Sequence, residues 1–141
     1  MRLVSIITLM LFSLIACAKE TNPPSLNGEW VVRSVIDVAP VAAIDDAQLK
    51  SIEGKKLNIT SQEISFEDKI CETPIIKWSR HKPIKFFDSY RIDIPKNWNT
   101  KVYIADIECA RPYSFGPILL DKTRILFVWK GALLEATRNK N

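Results

Sequence analysis

From Leu26 onward the apolar residues recur mostly with a period of two, in short segments separated by turn residues. That pattern commits a chain to half-buried strands, because successive side chains of a strand point to opposite faces. Residues 26–38 set it. Trp30, Val32 and Ser34 fall on one face and Val31, Arg33 and Val35 on the other, with the β-branched and aromatic content of a pleated surface. Residues 42–52 change style after Pro40. Ile44, Ala47, Gln48 and Ser51, or Leu49 and Ile52, keep helical spacing and predict one short helix after the first strand, ended near Gly54. Strands are predicted again over 55–60 and 63–67, a hairpin about Ser61-Gln62. Further strands are predicted over 71–78, 84–94, 101–109, 118–120, 124–130 and 133–138, the last entered through a tight turn at Lys130-Gly131-Ala132. About eight short strands at this spacing predict a mainly β domain. The expected form is a small antiparallel up-and-down barrel, with a small β-sandwich as the alternative.

The chain begins Met1-Arg2 and runs through apolar residues to Ile15, with too short a stretch and the wrong flanks for a spanning helix. An ordinary export signal that leaves Cys17 as a thiol is one reading. However, Leu14-Ile15-Ala16-Cys17 resembles the lipobox of bacterial lipoproteins, and Leu14 sits where an ordinary cleavage site prefers a small residue. The resemblance implies removal of a signal peptide at 1–16 and acylation of Cys17, with palmitate-type chains holding the protein to the membrane. Several chains on one residue anchor it stably, where a single chain would not. Ala18 stands where Asp would mark inner-membrane retention in many Gram-negative bacteria. The resemblance therefore implies a lipid anchor in the outer membrane, facing the periplasm. Residues 17–25 form the lipidated Cys and a polar tether with Pro23 and Pro24. Its eight residues after Cys17 reach at most ~28 Å, so the single domain at 26–141 works close to the bilayer.

In an oxidising compartment the two remaining cysteines, Cys71 and Cys109, read as a disulfide. A metal or redox pair is the other reading, but there is no C-x-x-C and His81 is the only histidine, so no metal site is expected. The net charge of +4 falls to +3 when Arg2 leaves with the leader. That mild basicity permits contact with anionic headgroups and does not call for nucleic acid.

The first strand opens Leu26-Asn27-Gly28-Glu29-Trp30, and Arg138 lies on the last. The pair Gly28-x-Trp30 with a late Arg resembles the calycins, lipocalins and their relatives. In that family a G-x-W tryptophan closes one end of an up-and-down barrel and a C-terminal Arg packs across it. The resemblance implies that Trp30 is buried beneath Arg138 and that the barrel could hold a small ligand.

No catalytic constellation is present: no G-x-S-x-G, no Gly-rich phosphate loop and no H-E-x-x-H. The expectation is a binding protein without a cofactor, not an enzyme. Residues 77–87 interleave bases and aromatics, and Tyr113-Ser114-Phe115-Gly116-Pro117 places rings beside a turn. Trp78, Arg80, Lys82, Tyr113 and Phe115 are the candidate contact residues, aromatics for apolar contact and bases for anionic groups. Two occupants are open. One is a small apolar or amphipathic ligand inside the barrel. The alternative is an envelope protein partner with no small ligand, as for a hydrolase inhibitor, an immunity protein or an accessory protein. A roomy apolar interior favours the first and a filled interior the second.

Overall fold

The computed structural model describes residues 22–83, 87–98, 100–110 and 115–139. The leader at 1–16, Cys17 and Tyr113 lie outside the described residues. Nine strands are present among the described residues: β1 (Gly28–Val38), β2 (Lys56–Ile59), β3 (Glu63–Phe66), β4 (Lys69–Glu72), β5 (Ile75–His81), β6 (Val102–Glu108), β7 (Ile118–Asp121), β8 (Arg124–Trp129) and β9 (Ala132–Arg138). One short helix, α1 (Asp46–Ser51), follows β1. Asp45 caps it by accepting from the Gln48 backbone N–H while the Gln48 side chain accepts from the Asp45 backbone, a reciprocal pair that satisfies otherwise orphaned donors.

All pairings are antiparallel, in the order β4-β3-β2-β1-β9-β8-β7-β6-β5. This is the cyclic order of an up-and-down barrel in which the first strand pairs with the last. Only the β4–β5 pairing is missing, so the sheet is a curled half-barrel. β1 is the hinge of the curl. Its start, Gly28 to Val31, pairs with β2 and Trp30 to Val38 pairs with β9, with register shifts between Val32 and Ser34 and between Val35 and Asp37. Such irregularities bend a strand and increase its twist.

The curl is visible in contacts between strands that are not neighbours. Phe66 on β3 meets Phe127 and Trp129 on β8 edge-on, at 5.2 and 5.4 Å between ring centroids. Cys71 on β4 is bonded to Cys109, just past β6. The inner face is filled by Trp30, Leu57, Ile59, Ile64, Phe66, Ile118, Leu120, Ile125, Phe127 and Trp129, all buried.

A second core lies on the outer face, which period-two reasoning left to solvent. Alternate residues of four strands, Ile104, Leu119, Leu126 and Leu133, are buried there beneath Phe87, Ile92 and Trp98. The covering chain belongs to the connection between β5 and β6. This corrects the strand expected over 84–94: Asp88–Tyr90 and Lys96–Trp98 are single 3-10 turns, and 84–86 lie outside the described residues. Left-handed Arg91 (φ 54°) breaks extension within that stretch. Trp98 pins the cover. It is fully buried, donates from Nε1 to Glu135 Oε2 at 3.1 Å, and takes the Arg124 guanidinium over its ring at 4.7 Å. Arg124 is held in turn by Glu135 and Asp121, at 3.3 and 2.8 Å. The strand expected over 71–78 is also corrected, since it is divided between β4 and β5 at Thr73-Pro74.

Candidate functional site

The candidate residues that come together are those of β5. Each residue of this strand pairs with β6, from Ile75 opposite Glu108 to His81 opposite Val102. Trp78 stands opposite Ala105 and Arg80 opposite Tyr103. The Trp78 and Tyr103 rings meet edge-on, 6.3 Å apart, and Arg80 lies over the Tyr103 ring at 5.2 Å. Both rings are half-buried and pack against the inner core, whereas Arg80 is exposed. The result is an aromatic shelf at the rim of the inner face, topped by a guanidinium. Lys82 and His81 follow at the exposed end of the strand. On the other face Lys77 forms an ion pair with Glu108 across the strands at 2.5 Å.

Phe115 does not join this group. It is 4% exposed and part of the inner core, so its ring fills space between strands instead of rimming an opening. Gly116 after it carries the left-handed turn, φ 66°, that the Gly-Pro sequence announced. Tyr103 was missed by sequence reasoning. Its place on the inner-facing side of β6 follows from alternation, but its partnership with Arg80 depends on the β5–β6 register, which one strand cannot supply.

In the middle of the strand order, Trp30 is fully buried and stands opposite Arg138 in the β1–β9 register. The Arg138 guanidinium lies 4.3 Å from the Trp30 ring centroid and donates to the carbonyls of Asn27 and Ser25. The indole N–H donates to Leu26 O at 2.8 Å. Gly28 leaves room for this lid: a Cβ there would sit 2.6 Å from Arg138 Nη1. The indole N–H and both terminal guanidinium nitrogens are bonded within the chain, which makes the pair a structural closure.

One open depression, of about 410 Å³, lies over Gly54–Lys56, Asn58 and Ser65–Glu67. Its charges are neutralised locally, Lys55 by Glu67 at 3.4 Å and Lys56 by Glu29 at 3.1 Å. Hydrogen bonds from Lys56 and then Asn139 hold the Glu29 carboxyl below the usual carboxylate range. Among the described residues no three His, Cys, Asp or Glu side chains gather as a metal site. No family model matches the chain, nor does any curated protein or solved structure.

Proposed function

We propose that this is a lipid-anchored lipoprotein of the bacterial envelope whose calycin-like half-barrel binds another protein, without catalysis and without a small ligand in its interior. The observation that carries this reading is the filled inner face. A pocket for an apolar ligand is lined by side chains that leave room between them. Here Phe66 meets Phe127 and Trp129 across the curl, and Trp30 and Phe115 are buried in the same core. The residues left for contact are on the rim: Trp78, Arg80 and Lys82, an aromatic and two bases of the kind enriched where protein surfaces meet. Residues 1–17 and the short tether support the address, at the outer membrane on its periplasmic side, and keep the rim near the bilayer.

The test is photo-crosslinking in living cells, with a photoreactive residue at Arg80 or Lys82 of the full-length chain. A discrete protein adduct that disappears when the probe is moved to Asn58 supports the reading. A co-purified lipid displaced by Trp78→Ala, or turnover of a cell-wall or lipid substrate, would overturn it. Cys17→Ser should at the same time abolish lipid labelling and leave an unprocessed precursor.

A further inference from the structure

The half-barrel is open at one place only in its strand order, between β4 and β5, which follow each other in the chain yet stand at opposite ends of the sheet. The cause is local. Thr73 has a left-handed backbone, φ 46°, and donates its N–H to Gln62, while Pro74 has none to donate. The link therefore turns a corner instead of making a hairpin, whose two-residue turns favour Gly and Asn. β4 has four residues and β5 has seven, so β5 leaves a strand edge about 23 Å long. Alternate N–H and C=O groups along it point away from β6, and among the described residues no backbone group bonds to them.

We infer that the free edge of β5 takes an extended, acidic segment of the partner protein as an added strand. This rests on the protein-binding reading above and names how that partner docks. Main-chain hydrogen bonds supply affinity in this mode, and side chains fix register and identity. Charge selects the occupant. The sequence has no carboxylate between Glu72 and Asp88, while β5 and its exit carry Lys77, Arg80, His81 and Lys82. Lys77 is already paired with Glu108, but His81 and Lys82 form no ion pair among the described residues. A second copy of the chain is a poor occupant, because its own β5 brings the same excess of basic side chains and no carboxylate to meet them. At the other end of the edge Ile75 is 59% exposed, and Ile70 beside the corner is 52% exposed. The incoming strand thus meets apolar surface near Ile75 and positive charge near Arg80 to Lys82.

The test uses the full-length lipidated protein in detergent micelles and three blocked octapeptides. One alternates Val and Glu, one alternates Val and Lys, and one is the Val/Glu peptide with the backbone nitrogens of one edge methylated. Amide hydrogen exchange is followed residue by residue. The Val/Glu peptide should slow exchange within Ile75–His81 by about tenfold or more at roughly millimolar concentration, and the other two should not. Arg80→Glu with Lys82→Glu should transfer the protection to the Val/Lys peptide. Equal protection by the methylated peptide would overturn strand addition in favour of a charge contact alone. Protection without any peptide that grows with protein concentration would give the edge to a second copy. No protection of Ile75–His81 would overturn the inference as well. A crosslinked protein adduct at Arg80 without edge protection would overturn strand addition while leaving the protein-binding reading standing, so the two failures are distinguishable.

Discussion

Gly28, Trp30 and Arg138 act as one device, and each is necessary for a different reason. Gly28 has φ 136°, a backbone region nearly restricted to glycine, and also leaves the space that Arg138 crosses. Gly28→Ala should therefore cost about 1–3 kcal/mol from backbone strain, and further stability from displacing the guanidinium. In an Arg138→Ala background only the strain remains, so urea unfolding of the two single variants and the double variant should give less than additive losses. Strict additivity would separate Gly28 from the lid. Trp30→Ala removes the ring itself and should cost about 3–5 kcal/mol. Glu29, next to Gly28, gives a pH signature. Its folded carboxyl titrates below its unfolded range because Lys56 and Asn139 donate to it. Its contribution is thus present above the ordinary carboxylate range and is lost as pH falls through the folded value. Glu29→Gln should flatten the acid limb of a stability–pH profile, and an unchanged limb would show that Glu29 adds nothing to it.

Among the elements, the cover over the outer face is decided by one residue. Trp98 brings Lys96–Trp98 onto β8 and β9 through packing, a hydrogen bond and a cation–π contact together. Trp98→Phe keeps most of the packing and loses the bond to Glu135, a change of about 1 kcal/mol. Trp98→Ala should cost about 3–5 kcal/mol and make 87–98 open to protease while β1 and β9 stay protected. Equal loosening of the whole sheet would contradict an anchoring role. The outer core also explains what could be read from the sequence and what could not. β2, β3 and β6 follow from alternation, whereas β1, β7, β8 and β9 follow from short β-branched and apolar segments between turn residues. The run Ile118-Leu119-Leu120 and the run Ile125-Leu126-Phe127 did hold the missing signal. Continuous apolar stretches belong to strands covered on both faces, so something had to cover the outer one. What covers it was not legible, since 84–94 has strand-like residues but a tertiary role as a lid. The candidate site was legible in part. Alternation along one strand exposes Arg80 beside Trp78, whereas Tyr103 beneath Arg80 and the burial of Phe115 depend on how distant strands meet.

For the molecule as a whole, the question is what holds a nine-stranded sheet curled when no hydrogen-bonded pair closes it. Cys71 and Cys109, 38 residues apart, join β4 to the end of β6, and the Ala110 N–H reaches Glu72 O at 3.4 Å beside them. Closing a loop of that length contributes roughly 4 kcal/mol in the chain-entropy model, against about 5–15 kcal/mol for a typical domain. Beside it stands a large inner core, in which Trp30, Phe66 and Phe127 are buried. Reduction should therefore weaken the domain without unfolding it. The loss should also be uneven. β1 and β9 lie at the middle of the strand order, each with a paired neighbour on both sides, whereas β4 and β5 are its two free ends. After Cys71→Ser with Cys109→Ser, amide exchange should accelerate first in Lys69–Glu72, next in Ile75–His81, and least in β1 and β9. Thermal unfolding of the same variant should remain cooperative at a lower temperature. A uniform acceleration across all strands would mean that the disulfide stabilises only by limiting the unfolded chain. Acceleration confined to the ends would show that it also holds the half-barrel curled, and so sets the width of the opening beside β5.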